Sequence, residues 1–524
     1  MSKLSGLVPW LVPALSLAIV TGLLLGVSAV LGDPTQHFEI GALGSVQFVL
    51  NTNAAALTSA MSVLIALVLL TVQLTAQRYS FNIIGIFIHN PVNAALIAVF
   101  IVTITFNLWL GLVLQEDYLP THGILMAVAM TTVCFALLPP YIKYLFDILR
   151  PEHVLNHLRR ELSRATNLDR GSGRVAARRA SVATRINQIG DIARTAVGLT
   201  DSAVARHSVW VLFWAMEEYL DRKPRLPAAW FEIEEHHFRG RHELIRREIE
   251  ETLTWTERRM LDEVQEVYFA TLNKMHDVNN TVALVVRQLG EKAVETSDLG
   301  LLRTVMKFFN TFLRAAINQG DTRSGYHALY QYRLLADTAM DWDPRVTLEI
   351  ADRISYYGDA AGSGPLLWMA AAAAYDLRIL AENAYDRGKS AEVTAAIVNR
   401  LIETVSRAEA KRSPALIQLY KTTASLGSFF LARGERALAG RIREVLAAQS
   451  DATLSQIGRE LGSIDDPIFW ELTDRVVNFD YVEDDVRRTL PTFLEDPLGW
   501  PLPDTLRKAL APEETTSLAE PDVV

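Results

Sequence analysis

The residues in this sequence that most resemble a metal site form a short stretch rich in acids and histidines. Glu234-Glu235-His236-His237 is consecutive, and His242-Glu243 follows closely. Imidazoles and carboxylates are good ligands for zinc, iron and manganese. However, adjacent residues on a helix point about 100° apart, so His236 and His237 cannot easily share one ion. The His-Glu-x-x-His spacing of zinc proteases is also absent. We interpret the stretch as an exposed polar helix and predict no metal site.

Other patterns that carry enzymatic chemistry are equally weak. The stretch from Gly358 to Gly364 is rich in glycine. It lacks the Gly-Lys-Ser/Thr of a phosphate-binding loop, so we interpret it as a turn between helices. No serine-nucleophile elbow, kinase signature or glycosidase-like carboxylate pair stands out. The single cysteine, Cys134, excludes a disulfide framework and a cysteine-based zinc site. We therefore predict no cofactor and no enzymatic activity.

Uncharged polar residues occur inside two apolar segments. Gln73 and Gln77 are four residues apart and share a helix face. Thr103 and Asn107 stand in a later segment. Polar groups in hydrocarbon seek hydrogen-bond partners, so these four residues should face other helices or other subunits. This polar seam either lines a permeation path or, as we favour, makes ordinary interhelical hydrogen bonds.

Arginine is concentrated between residues 159 and 194. The candidate lipid-contacting arginines are Arg159, Arg160, Arg164, Arg170, Arg174, Arg178 and Arg179. Just beyond a membrane span on the cytoplasmic side, each would gain about 1 kcal/mol from the negative bilayer surface. Nucleic-acid binding is the alternative, but aromatic residues are not interleaved and the rest of the region is acidic. We predict contact with anionic lipid headgroups and no nucleic-acid partner.

Four long apolar stretches hold the polar seam and precede the arginines. They are roughly Val8–Leu31, Ala54–Leu74, Pro91–Leu114 and Ile124–Leu145. Each has about 20 residues or more, enough to cross a hydrocarbon core of about 30 Å. Asp, Glu, Lys and Arg are absent from them until Lys143, which argues against an ion-coupled transporter. The pattern predicts four transmembrane helices embedded in the lipid bilayer.

Basic residues near the span ends predict the orientation of these helices. The loops at 32–53 and 115–123 contain no Lys or Arg, whereas Arg78 lies in the second loop and Lys143 and Arg150 flank the end of the fourth span. Every basic residue thus falls on one side. We predict a multi-pass protein of the bacterial inner membrane with both termini in the cytoplasm. The first span should stay uncleaved, because its apolar run is too long for a signal peptide.

Two adjacent prolines, Pro139 and Pro140, lie in the fourth span. Proline removes a backbone donor and clashes with the preceding turn, so the helix should kink or end there. The pair is a candidate hinge that transmits motion to the region after the membrane. The alternative, which we favour, is a static kink that directs the chain out of the membrane.

The region after the spans has the periodicity of helices, with apolar residues at i, i+3, i+4 and i+7. Glu243–Met275 is predicted as one long helix, and Leu416–Ala432 as another. Similar turns at Gly320, Gly388 and Gly434 each close an apolar helix. Helix pairs that end in such glycine turns resemble tetratricopeptide-like or other α-solenoid repeats, although the spacing is irregular.

The predicted fold class is therefore all-α, with four transmembrane helices followed by a cytoplasmic helical bundle or α-solenoid-like domain. The predicted domains are a four-span membrane domain (1–150), Arg-rich juxtamembrane linker helices (151–200), a helical-repeat-like domain (201–500) and a flexible acidic tail (501–524).

The segment Leu64–Leu112 resembles the membrane core of a bacterial family of predicted membrane proteins, domain of unknown function 2254. Members join two apolar helices through a Gln/Ser-rich stretch, and Gln73, Gln77 and Ser80 stand at the matching places. The family's usual Pro-Arg after that stretch is missing, since Ser80-Phe81-Asn82 occurs here. The resemblance covers about the first 160 residues and implies a membrane fold without an activity.

These observations favour an inner-membrane protein that anchors a cytoplasmic helical scaffold or sensor. It would act through contacts with a cytoplasmic protein partner or through self-association. The alternative is an oligomeric channel lined by the second and third spans, with the cytoplasmic domain as its gate. Four uncharged helices enclose too little space for a pore, so a channel would need several chains.

Overall fold

The computed structural model describes residues 43–79, 91–115, 120–148, 150–167, 175–232, 243–361, 366–469 and 475–494. Its eighteen α-helices in this part of the chain are α1 Leu43–Tyr79, α2 Pro91–Val113, α3 Thr121–Ile148, α4 Pro151–Ala165, α5 Val175–Gly198, α6 Ser202–Leu220, α7 Glu243–Thr252, α8 Trp255–Thr271, α9 His276–Glu295, α10 Leu299–Gln319, α11 Thr322–Trp342, α12 Pro344–Ala361, α13 Leu367–Asp386, α14 Ala391–Ala410, α15 Leu416–Ala432, α16 Arg436–Leu446, α17 Asp451–Gly462 and α18 Asp484–Leu494. Within these residues the extended pairing is limited to one isolated antiparallel bridge between Ile468 and Val477, so the predicted all-helical class is confirmed.

The chain divides into two compact units. The first unit is Met1–Leu162 with Asn187–Thr195, and the second is Ser163–Ile186 with Ala196–Val524.

The first unit contains three helices that are long and apolar enough to cross a membrane. Their candidate spans are Leu43–Gln73, Val92–Val113 and Thr121–Asp147. They coincide with the second, third and fourth predicted spans. The first predicted span, Val8–Leu31, lies outside the described residues. Helix α3 continues through Pro139 and Pro140 to Ile148, so the span does not end at the prolines.

The start of α1 corrects the predicted first loop. That loop was expected to extend to Asn53, but α1 begins at Leu43. Val46 and Leu50 are buried four residues apart and pack with Leu110 of α2. This apolar face extends the helix through a stretch whose polar residues suggest a loop.

Two apolar clusters hold α1, α2 and α3 together. One cluster comprises Val46, Leu50, Leu110, Leu114 and Ala127. The other comprises Leu57, Leu64, Leu96, Phe100, Cys134, Tyr141 and Leu145. On α2 and α3 these positions leave an interval between the clusters, and Thr103, Asn107 and Thr131 lie there.

The second unit contains a two-layer stack of helices. From α8 to α15 each helix packs against the next helix and also against the one after that. The helices α9, α11, α13 and α15 therefore form one layer, and α8, α10, α12, α14 and α16 form the other. Helix α18 returns to pack on α15.

The predicted glycine turns of this stack are confirmed. Gly320, Gly388 and Gly434 all have positive φ, of 68°, 64° and 82°. Each terminates a helix in the left-handed conformation that glycine adopts without a steric penalty. Helix α15 begins and ends at the predicted residues, Leu416 and Ala432.

Two local predictions in this unit are wrong. The single helix predicted over Glu243–Met275 is interrupted between α7 and α8, where Leu253 has a φ of 55°. The interruption places Trp255 against Trp230, with the Trp255 indole N–H donating to the Trp230 carbonyl at 2.6 Å. The turn predicted from Gly358 is the second, because α12 continues through Gly358 to Ala361. Gly358 lets α12 approach α13, since a Cβ there would lie 2.5 Å from Ala373.

Candidate functional site

The polar seam of the first unit centres on Asn107, which is fully buried in α2. Its amide nitrogen donates to the Thr103 carbonyl at 2.8 Å and to Thr131 Oγ1 of α3 at 3.4 Å. Its Oδ1 has no hydrogen-bond partner among the described residues. Asn107 therefore joins α2 to α3 at one defined height, between the two apolar clusters.

Thr103 extends the same contact toward the second cluster. Its hydroxyl donates to the Val99 carbonyl at 2.8 Å and accepts from the Cys134 thiol at 3.4 Å. Thr131 donates to the Ala127 carbonyl at 2.8 Å. Most of the polar hydrogens of the seam are thus used within or between helices, which is how polar groups are accommodated in hydrocarbon.

The structure places the other two predicted seam residues on α1. Gln73 is exposed in α1, beyond Leu64 of the second apolar cluster. Gln77 lies in the same helix, and its side chain is outside the described residues. The structure brings Thr103 and Asn107 together and adds Thr131 and Cys134, which the sequence interpretation had not placed in the seam. The only signal available for Thr131 was its position in an apolar span. Because Thr132 lies in the same span, that signal does not distinguish the two threonines.

A second polar contact between α2 and α3 lies closer to the predicted hinge. The Tyr141 hydroxyl donates to Asn93 Oδ1 at 3.0 Å. Tyr141 directly follows the proline pair and is buried, whereas Pro139 is exposed and Pro140 half-buried. The hydrogen bond therefore ties the residue after the prolines to the start of α2.

The candidate lipid-contacting arginines have unequal surroundings. Arg160 and Arg164 are exposed on α4, opposite its buried face of Val154, Leu155, Leu158 and Leu162, and Arg159 is half-buried. Arg178 donates to the carbonyls of Arg164 and Asn167 at 3.2 and 2.8 Å. Arg179 is only 5% exposed and donates to the carbonyls of Ala229 and Glu232. The side chain of Arg179 is thus used in packing, and we leave it out of the lipid contact. Arg170 and Arg174 lie outside the described residues.

The second unit contains a buried charge cluster that the sequence interpretation missed. Lys223 Nζ lies 2.6 Å from Glu257 Oε1 and 2.7 Å from Asp298 Oδ2. Burial raises the pKa of Glu257, and the Lys223 charge offsets part of that rise. Burial lowers the pKa of Lys223, but Glu257 and Asp298 raise it by more. The cluster joins the turn after α6 to α8 and to the N-terminal cap of α10.

A second buried pair joins Arg475 to Asp376 of α13. The guanidinium contacts both carboxylate oxygens, at 2.8 and 3.1 Å, and both side chains are fully buried. Asp376 also lies 3.3 Å from Arg333 of α11, which pairs with Asp337. The only sequence signal was a carboxylate on an apolar, Ala-rich helix.

A shallow polar groove of about 410 Å³ lies between α12 and α14. It is lined by Asp352, Ser355, Tyr356, Asp359, Arg400, Glu403 and Arg407. Its charged residues pair with one another: Arg400 with Asp352 and Glu403, and Arg407 with Asp359. The groove therefore has three carboxylates and two guanidinium groups, which are largely paired with one another. The acid and histidine stretch at 234–237, with His242, lies outside the described residues.

Comparison with known proteins agrees with the interpretation of the apolar helices as membrane spans. Residues 9–201 match the family model described as "Predicted membrane protein (DUF2254)", which confirms the resemblance over that segment. The comparison with curated proteins gives no match. One solved structure is similar at 14% identity, covering 89% of this chain and 96% of its own: "Circular tandem repeat protein with novel repeat topology and enhanced subunit contact surfaces". Its TM-score of 0.29 is too low to carry an argument.

Proposed function

We propose that the protein is a multi-pass membrane protein that carries a helical scaffold on its cytoplasmic side and acts through protein–protein contacts. The observation that supports this most is that one chain has three apolar helices in its first unit and a two-layer helical stack in its second. Stacks of this α-solenoid-like kind present extended faces that suit binding of other proteins. The role is proposed as non-catalytic.

The cytoplasmic orientation is proposed from charge. Arg150, Arg160 and Arg164 follow the third described span closely, whereas residues 115–123 carry no Lys or Arg. The excess of basic residues near span ends marks the cytoplasmic side. We extend this to contact between the exposed pair Arg160 and Arg164 and anionic lipid headgroups of a bacterial inner membrane.

A topology experiment with proximity labelling tests the proposal. A cytoplasm-active reporter fused after Arg150 should be active, and one inserted near Leu119 should be inactive. A biotin ligase fused to the C-terminus of the full-length chain should then label a limited set of cytoplasmic proteins, or other copies of the chain. Replacing residues 201–524 by a soluble helical protein of the same size should abolish that labelling. The opposite reporter pattern, or labelling that survives the replacement, contradicts the proposal.

The channel alternative has weaker support. Thr103 and Asn107 are buried among the helices and bonded there, whereas Gln73 is exposed on α1. A pore lined by these residues would require their hydrogen bonds to be broken. Current recordings after reconstitution distinguish the two functions, because a scaffold gives no conductance.

A further inference from the structure

Residues 475–481, which we name the strap, cross one layer of the helical stack. The strap is not helical and precedes α18. Its first anchor is Arg475, which pairs with Asp376 of α13 and donates to the Tyr326 carbonyl of α11 at 2.9 Å. The guanidinium also lies 4.2 Å from the ring centre of Tyr326 and 5.0 Å from that of Tyr330. Carboxylate and aromatic faces together form a site specific for a guanidinium.

The second anchor is Phe479, whose ring enters an aromatic cluster. It stacks on Tyr375 at 4.2 Å and on Trp368 at 5.8 Å between ring centres, and it lies 6.1 Å from Tyr326. Phe479 is 8% exposed, whereas Trp368 is 51% exposed. The aromatic cluster therefore opens at one side to the surface, as a binding groove does.

The third anchor is Asp480, which reaches the next helix of the layer. Its carboxylate accepts hydrogen bonds from Gln418 and Lys421 of α15. Arg378 of α13 donates to the carbonyl of Tyr481 at 3.5 Å. Three side chains of a short non-helical segment thus contact α11, α13 and α15, three helices of one layer.

This arrangement differs from ordinary core packing. A core helix contributes apolar residues at helical spacing, whereas the strap contributes a cation, a ring and an anion to complementary partners on three helices. A buried ion pair gains little net stability over apolar packing, but it discriminates strongly against a wrong side chain. The contacts therefore have the character of peptide recognition across a helical stack.

We propose that the face of α11, α13 and α15 is a peptide-binding groove and that the strap is its intramolecular ligand. The external ligand is a non-helical peptide with the same chemistry: an arginine, an aromatic residue four positions later, and a carboxylate directly after the aromatic residue. The proposal deepens the scaffold function and rests on it for the existence of such a partner. The tethered strap competes at high effective concentration, so an external peptide binds only where the strap is displaced.

The test uses the full-length protein in detergent, with a protease site inserted between Asp465 and Asp466, which are both exposed. After cleavage the C-terminal fragment is held only by its contacts. A fluorescent synthetic peptide of residues 466–494 is added, and its anisotropy is followed. We expect the cleaved protein to take up the peptide by exchange and the uncleaved protein to bind it at least tenfold more weakly.

Peptide variants test the recognition. Arg475→Ala and Phe479→Ala should each weaken uptake at least tenfold, whereas Val476→Ala, at a position 44% exposed, should change it less than twofold. Asp480→Asn in the peptide and Lys421→Met in the protein should have non-additive effects, because the two side chains are partners.

Three outcomes overturn the proposal. If peptide uptake does not depend on Arg475 and Phe479, the groove does not recognise these side chains. Loss of the helical circular dichroism signal on cleavage shows that the strap is an integral part of the fold. A folded, cleaved protein that never exchanges its fragment shows the same. Failure of the scaffold function itself would appear in the reporter and labelling experiment, with peptide exchange unaffected.

Discussion

Arg475 and Asp376 form a two-point ion pair that is fully buried, with N–O distances of 2.8 and 3.1 Å. Arg475 belongs to the strap and Asp376 to the middle of α13, so the pair joins residues 99 positions apart. Each partner compensates the charge of the other, because a lone charge in this buried environment has no access to water.

Arg475→Met should therefore destabilise the protein strongly. The variant leaves Asp376 buried with only Arg333 beside it, and breaking a buried pair costs about 3–5 kcal/mol. We expect a clear fall in the thermal unfolding midpoint of the purified protein. The control is Arg345→Ala, which removes an exposed pair with Asp343 and should leave the midpoint unchanged. Equal midpoints for the two variants would mean that the pair is not buried as described.

Lys223→Met should destabilise the protein in a pH-dependent way. The folded state already raises the pKa of Glu257, so it binds that proton more tightly than the unfolded chain does. Removing the Lys223 charge raises this pKa further. The stability linked to protonated Glu257 is present below its unfolded pKa of about 4.3 and is lost as pH rises through the folded pKa. The loss caused by the variant should therefore be larger at pH 8 than at pH 5.

Unfolding midpoints of wild type and Lys223→Met at the two pH values measure this difference. Lys411→Met is the matched control, because Lys411 is 57% exposed and pairs with Asp359 at the surface. Its effect should be small and the same at both pH values. A Lys223→Met effect that shrinks as pH rises would reverse the assigned direction for Glu257.

Asn107→Leu should weaken the packing of α2 on α3. The variant removes the hydrogen bond to Thr131, and such bonds between membrane helices contribute about 0.6 to 2 kcal/mol. We expect a lower unfolding midpoint in detergent, whereas Leu108→Ala, at a position 48% exposed, should leave it unchanged. If Asn107→Leu leaves the unfolding midpoint unchanged, the seam does not contribute to the packing of α2 on α3.

The sequence predicts those parts of the fold that local chemistry determines. Helix α15 begins and ends as predicted, and the turn at Gly434 follows it, because a left-handed C-terminal residue favours glycine. The break at Leu253 was missed because a leucine there carries no such signal, and contact between Trp255 and Trp230 compensates for its backbone conformation.

The candidate sites could be predicted only in part, for a related reason. Asn107 was predictable, since a polar residue in a long apolar span must find a partner nearby. Its partner Thr131 was not, because Thr132 is its neighbour and bonds only within its own helix. The anchors of the strap were beyond sequence reasoning, since Asp376 and Arg475 meet only when the stack is assembled.

Gly427→Ala should separate α18 from α15. A Cβ at Gly427 would lie 2.0 Å from the Phe493 ring, and Phe493 is buried on α18. Overpacking of this kind costs about 1–3 kcal/mol, which exceeds the gain of about 1 kcal/mol from replacing glycine inside a helix. We therefore expect a lower unfolding midpoint and faster proteolysis of α18. Gly440→Ala in α16 is the matched control, because a Cβ there meets nothing within 4 Å and the helical gain should raise the midpoint slightly. If both alanine variants were stabilised alike, α18 would not pack on α15 through Phe493, and the strap that precedes α18 would lose the helix that holds its C-terminal end in place.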